Sequence, residues 1–183
     1  MQMGFYFDQS RCVGCYVCVA ACRSWNQLEQ ELPNLIEIKT REQGAFPLLS
    51  VRHLFLTCFH CAEPPCIPAC PEGLLVKRAQ DGIVVLRDTE GCTGCQLCVE
   101  ACPYRAPKLA VENKRNIVKC NLCVDRLSQG KAPACVTACP TWALEAGPME
   151  ELIAKHGGLK ELEDFADYRQ TNPSVIFRPL TRR

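Results

Sequence analysis

The stretch Cys92-Thr93-Gly94-Cys95-Gln96-Leu97-Cys98-Val99-Glu100-Ala101-Cys102-Pro103 decides what kind of chain this is. Three cysteines stand at two-residue gaps, a fourth follows three residues on, and proline closes the run. Working outward, the same design recurs. Cys12, Cys15, Cys18 and Cys22 keep the same spacing, while Cys58, Cys61, Cys66 and Cys70 widen one gap. Cys120, Cys123, Cys135 and Cys139 insert a long loop between two pairs. All 16 cysteines fall into these quartets. Three quartets end in Cys-Pro (Cys70-Pro71, Cys102-Pro103, Cys139-Pro140), and the first ends in Cys22-Arg23. Disulfides are excluded because cysteines this close pair poorly within a quartet, and because Met1–Ser10 lacks the basic start and apolar centre of a secretory leader. Structural zinc joins two separated Cys-x2-Cys pairs, which three successive two-residue gaps do not resemble.

The remaining chemistry is iron–sulfur. The run C-x2-C-x2-C-x3-C-P is the bacterial ferredoxin signature for [4Fe–4S] clusters. Each of the four irons takes one thiolate, and soft sulfur spreads the iron charge better than oxygen ligands. Three cysteines on a tight loop reach three irons of one cluster; the fourth points away to a neighbouring cluster, and proline stiffens the exit. Sixteen cysteines therefore make four clusters in two close pairs. Gly14 and Gly94 precede the second cysteine of their quartets, where a missing side chain lets backbone N–H groups approach the cluster. Lys77, Arg105, Lys119 and Arg126 lie near quartets and read as solvated surface charges. His53, His60 and His156 are scattered, and His60, between Cys58 and Cys61, reads as packing over a cluster. No catalytic constellation and no phosphate loop is present, so the expectation is a carrier of electrons with no substrate chemistry of its own.

The 183 residues carry 21 Lys+Arg against 20 Asp+Glu, a net charge of +1 that excludes binding to nucleic acid through a basic field. No apolar run approaches the ~20 residues a membrane-spanning helix needs. The expected fold class is α+β: two dicluster ferredoxin-like modules, one inserted into the other, with small hairpins, short helices and an extended C-terminal tail. Residues 1–57 form the first half of the outer module with a connecting insertion, 58–105 the inner module, 106–147 the second half of the outer module and 148–183 a helical and extended docking tail. Met3–Asp8 reads as a strand, Val19–Leu28 as a helix with Trp25 in the core, and Leu35–Ile38 as a strand. Leu74–Arg78 and Ile83–Leu86 flank Asp81-Gly82 and predict a hairpin over one face of a cluster pair. Pro148 opens a helix with Glu150 and Glu151 near its start and His156 near its end, stopped by Gly157-Gly158. Leu159–Tyr168 reads as a second helix, and Asn172–Leu180 as an extended strap that offers Val175, Ile176 and Phe177 to another subunit. Spacing also permits pairing the first quartet with the second and the third with the fourth. The 17 residues between Cys102 and Cys120 leave little room for a hairpin, which disfavours that arrangement.

The quartets, in this order, resemble the iron–sulfur subunit of the molybdopterin oxidoreductases. Dimethyl sulfoxide reductase is the most similar branch, with polysulfide and thiosulfate reductases and formate dehydrogenase as relatives. Cys102-Pro103-Tyr104-Arg105-Ala106-Pro107, Lys119 to Leu127, Gly130 to Cys135, Ala143 to Pro148 and Ile153 to Leu159 carry the likeness. What the resemblance implies is a ligand set. Cys12, Cys15, Cys18 and Cys139 hold cluster 1; Cys58, Cys61, Cys66 and Cys102 cluster 2; Cys92, Cys95, Cys98 and Cys70 cluster 3; Cys120, Cys123, Cys135 and Cys22 cluster 4. It also implies a molybdenum or tungsten bis-pyranopterin catalytic subunit and a quinone-reactive membrane anchor as partners, in a complex where this chain is peripheral. The side of the membrane stays open: export with a signal-bearing partner and a cytoplasmic place both fit. The alternative is a free-standing soluble polyferredoxin shuttle.

Overall fold

The computed structural model describes residues 1–88, 90–110 and 117–181. Among them, strands β1 (Met3–Asp8), β2 (Glu37–Gln43), β3 (Ser50–Leu56), β4 (Leu75–Lys77), β5 (Val84–Leu86), β6 (Lys108–Leu109), β7 (Ile117–Val118), β8 (Leu144–Pro148) and β9 (Val175–Arg178) alternate with short helices. The helices are α1 (Val17–Trp25), α2 (Leu97–Glu100), α3 (Val124–Leu127), α4 (Ala134–Thr137) and α5 (Met149–His156). No helix of the described residues is long and apolar enough to cross a membrane. The mixture of small strands and short helices is the expected α+β class.

The one larger sheet has the order β8-β1-β9, with β8 antiparallel and β9 parallel to β1. Every residue of β1 is buried, because a central strand with cover on both faces must be apolar on both. Phe5 and Phe7 point into the main core against Phe55, and Tyr6 points the other way, beneath α5, with Leu152 and Ile176. The register Phe5↔Val175, Tyr6↔Ile176, Phe7↔Phe177 puts each tail side chain on the matching face. The tail is therefore corrected. Val175, Ile176 and Phe177 are buried within their own chain and offer nothing to another subunit. The flanking Pro173 and Pro179 suit the edge position that β9 takes.

Other expectations fare unevenly. The hairpin around Asp81-Gly82 forms as β4 and β5, and Leu75 and Val84 pack on Cys66 and Cys98. Helix α5 starts after Pro148 and stops where Gly157 takes φ 82°. The helix expected over Leu159–Tyr168 is absent: Asp164 adopts φ 65°, and Phe165 leaves the local path to pack on Phe59, Tyr104 and Phe177. Only a 3-10 turn, Tyr168–Gln170, remains. The strand expected at Leu35–Ile38 begins two residues later, and the insertion 23–57 closes on itself as the β2–β3 hairpin. The interval between Cys102 and Cys120 does hold a short hairpin, β6 with β7, so length alone does not decide how the quartets pair. Trp25 is also corrected. It is 40% exposed, its indole N–H donates to Asp125 at 2.9 Å, and the Arg126 guanidinium lies 4.5 Å over its ring, tying α1 to α3 at the surface.

Candidate iron–sulfur centres

All four quartets share one backbone device. The residue before the second cysteine is left-handed in each: Gly14 (φ 65°), His60 (45°), Gly94 (71°) and Leu122 (57°). This conformation turns successive N–H groups to one side, making an anion-binding hollow. The amides of Gly14 and His60 bond the sulfurs of Cys12 and Cys58, and that of Leu122 reaches Cys120 Sγ at 3.3 Å. At position 14 a Cβ would lie 2.5 Å from the His53 ring, so any larger residue there would have to push that side chain aside. His60 and Leu122 hold the same conformation at a cost of about 1 kcal/mol each, kept in place by side chains that are 0% exposed. Sequence reasoning found the two glycines and missed the other two. The signal was positional equivalence between quartets, which residue type concealed.

A second device follows the last cysteine. Gly73, Arg105 and Trp142, each three residues beyond a Cys-Pro quartet end, are also left-handed. The turn aims the next amide back: Ala106 N–H donates to Cys102 Sγ at 3.5 Å and Ala143 N–H to Cys139 Sγ at 3.3 Å. The first quartet has no such proline, so α1 runs on through Cys22 to Trp25. Asn26 then supplies the donor from its side chain, with Nδ2 3.6 Å from Cys22 Sγ. Thr171 Oγ1, 3.4 Å from Cys61 Sγ, arrives from far along the chain and had no local sequence signal.

The thiols gather in four groups. Cys12, Cys15, Cys18 and Cys139 line one hollow, Cys22, Cys120, Cys123 and Cys135 a second, and Cys70, Cys92, Cys95 and Cys98 a third. Cys58, Cys61, Cys66 and Cys102 are one another's charge neighbours. Among the described residues no three His, Cys, Asp or Glu side chains close on a single metal-ion point; the thiols stand apart around each wall. Four soft donors, spaced around an apolar hollow and faced by backbone N–H groups, fit a cubane cluster, which supplies one-electron redox chemistry when bound. Burial pushes the Cys22 and Cys66 thiols up to about 12 and Cys18, Cys61 and Cys98 to about 11. Iron must therefore displace protons from them. Cys58 goes the other way: burial again opposes its ionisation, but the Lys119 ammonium and the His60 backbone N–H act against it.

Of the four cations read as surface charges, Arg105 is exposed and Arg126 half-buried. Lys77 caps the carbonyls of Cys61 and Ala62 at 3.0 and 2.8 Å. Lys119 is the correction: only 7% exposed, it bonds the carbonyls of Val84 and Cys120. His53 lies against the first cysteine loop, and His156 stacks on Tyr6 and pairs with Glu145 at 2.8 Å, away from any thiol group.

Cysteine hollows of this kind, carried on small strands and short helices, define an iron–sulfur protein of the dicluster ferredoxin type. The model of the 4Fe-4S dicluster domain matches residues 50–149, and a second model of the same description matches 11–75. The B chain of the anaerobic dimethyl sulfoxide reductase of Escherichia coli K12 is 37% identical, covering 97% of this chain and 89% of the relative. The B subunit of the sulfite dehydrogenase of Allochromatium vinosum is 35% identical over 97% and 83%, and protein NrfC of Escherichia coli K12 is 38% identical over 82% and 67%. The protein belongs to the family of 4Fe–4S dicluster electron-transfer subunits that includes the dimethyl sulfoxide reductase B chains. Two dicluster domains make four [4Fe–4S] clusters, and sixteen cysteines are what four all-cysteine clusters require. It is an electron-carrying subunit, not a catalytic one.

Proposed function

We propose that this chain is the electron wire of an anaerobic respiratory-type oxidoreductase. Single electrons hop along four clusters between a molybdenum or tungsten bis-pyranopterin catalytic subunit and a quinone-reactive membrane anchor, with this chain peripheral in the complex. The cluster ligands are Cys12, Cys15, Cys18 and Cys139; Cys22, Cys120, Cys123 and Cys135; Cys58, Cys61, Cys66 and Cys102; and Cys70, Cys92, Cys95 and Cys98. Residues 58–105 form an inner module inserted between the halves 1–57 and 106–147 of an outer one, and 148–183 closes the outer module.

The observation that carries the reading is the serial order of the four groups. Cys18 and Cys22 share α1, and Cys135 lies in α4 with Cys139 two residues past its end, so the first and second groups adjoin. Cys66 with Cys70, and Cys98 with Cys102, join the other two in the same way. Each end group has an exposed thiol, Cys15 or Cys95, whereas the groups between are buried apart from the half-buried Cys102. A relay needs accessible ends and a dry middle. Whole-length similarity to the B chain of a dimethyl sulfoxide reductase supports the choice of partners.

The test is anaerobic purification of the tagged chain from its host, with partners identified and Fe, Mo and W quantified. A stoichiometric molybdenum or tungsten subunit is expected. The same iron in a chain that purifies alone at low salt would mean a free-standing shuttle.

A further inference from the structure

His60 is fully buried, and its backbone is left-handed at the corner of the second cysteine loop. The N–H of Val84 in β5 donates to its Nδ1 at 3.1 Å. A backbone amide can only donate, so Nδ1 holds the lone pair and the ring hydrogen sits on Nε2. Among the described residues, Nε2 is the buried side-chain nitrogen with no partner of ordinary hydrogen-bond geometry. What the ring faces is sulfur. Nδ1 lies 3.8 Å from Cys58 Sγ, and the Cys120 thiol is the other sulfur neighbouring the ring. Val84 fixes the place from both ends, since its carbonyl accepts from Lys119, whose ammonium also holds the Cys120 carbonyl at 2.7 Å.

We propose that His60 is the contact through which electrons cross between the two cluster pairs: Nε2–H donates to the Cys120 sulfur while the same ring lies against the Cys58 sulfur, so one imidazole touches a ligand of each middle cluster. The proposal rests on the ligand assignment given above. In the step one electron leaves one cluster and enters the other. The imidazole keeps its proton and tautomer, and no bond is made or broken. His60 is thus a positioning residue with an electronic consequence. An N–H···S bond favours the reduced form of the cluster that receives it, and a ring packed between the two sulfurs couples the clusters better than a gap.

The test uses the anaerobically purified full chain with its clusters. His60→Leu removes both nitrogens and puts there a residue that holds the same left-handed conformation at the equivalent corner, Leu122. Iron content is expected to stay, the potential of the cluster bound by Cys120 to fall, and the electron distribution between the middle clusters to shift about tenfold, ~59 mV for one electron. Their spin–spin interaction in EPR weakens, and His60→Gln, which keeps a donor and an acceptor, restores most of both. Unchanged potentials and interaction in an iron-replete His60→Leu chain would overturn the proposal. Should His60→Leu lose iron, pulsed EPR of the 15N-histidine-labelled wild type decides: a nitrogen coupling on the Cys120 cluster, gone in His60→Gln, is expected, and its absence refutes the contact. Cys58→Ser and Cys120→Ser separate the underlying reading. They must alter the signals of two different clusters, and altering the same one would sink the ligand assignment and not the role of the ring.

Discussion

The end groups and the middle groups of thiols use one loop design in opposite surroundings. At the ends, Cys15 and Cys95 stand exposed on short loops whose corners are glycines, Gly14 and Gly94. In the middle, the corners are His60 and Leu122, whose side chains are buried in the core. A glycine corner makes the turn without strain and leaves the loop open to solvent. A bulky corner spends conformational strain and is held only by packing, so the loop and the core stabilise each other. The contrast teaches that the backbone hollow is common to all four sites, while burial sets how each site meets solvent and partner.

The comparison can be broken most directly by removing one ligand from each kind of site. Cys120→Ala should release its cluster and cost on the order of several kcal/mol of stability, seen as a steep drop in melting temperature, because cluster binding here is folding energy and the thiol sits in the main core. Cys95→Ala should disturb only its own cluster and leave the other three in place. Iron per chain and a thermal melt read both. Equal losses would mean that burial does not distinguish the sites.

Acid sharpens it next. The buried thiols of Cys22 and Cys66 are raised to about 12, so without iron they are protonated at any neutral or acid pH. Iron holds them as thiolates and protons compete for them; lowering the pH therefore favours cluster loss and never protects against it. Chelator-driven bleaching should accelerate as pH falls from neutral, with the exposed end clusters lost before the middle ones. The time course of visible absorbance with EPR at each point checks the order.

The smallest effect concerns the surface tie between the two stretches that frame the buried Cys22 group. Trp25→Phe keeps the ring under Arg126 but deletes the N–H donated to Asp125, a loss of about 1 kcal/mol or less. The melt should shift by a few degrees at most, with iron retained. Loss of the neighbouring cluster in this variant would give Trp25 a larger part than a surface tie.

Much of this was legible in the sequence because cysteine spacing is local chemistry. The quartets, β1, the Asp81-Gly82 hairpin and α5 with its proline start and glycine stop could all be read from neighbours in the chain. What escaped was decided by distant contacts. The segment Leu159–Tyr168 carries apolar residues at helical spacing, yet Phe165 joins an aromatic cluster with Phe59, Tyr104 and Phe177 and overrides it. The tail looked available because Val175–Phe177 has no local partner; the missing partner was β1, at the other end of the chain. Lys119 looked solvated because a lysine usually is, and only the fold reveals the carbonyls of Val84 and Cys120 that hold it. The left-handed corners at His60 and Leu122 carry no residue signature at all.

Iron and acid-labile sulfide, counted on the anaerobically purified chain together with its Mössbauer spectrum, test the central claim most directly. Four all-cysteine cubanes predict one iron and one sulfide for every cysteine in the chain, all in [4Fe–4S] sites. Half that iron, or a spectrum of isolated tetrahedral iron sites, would contradict it.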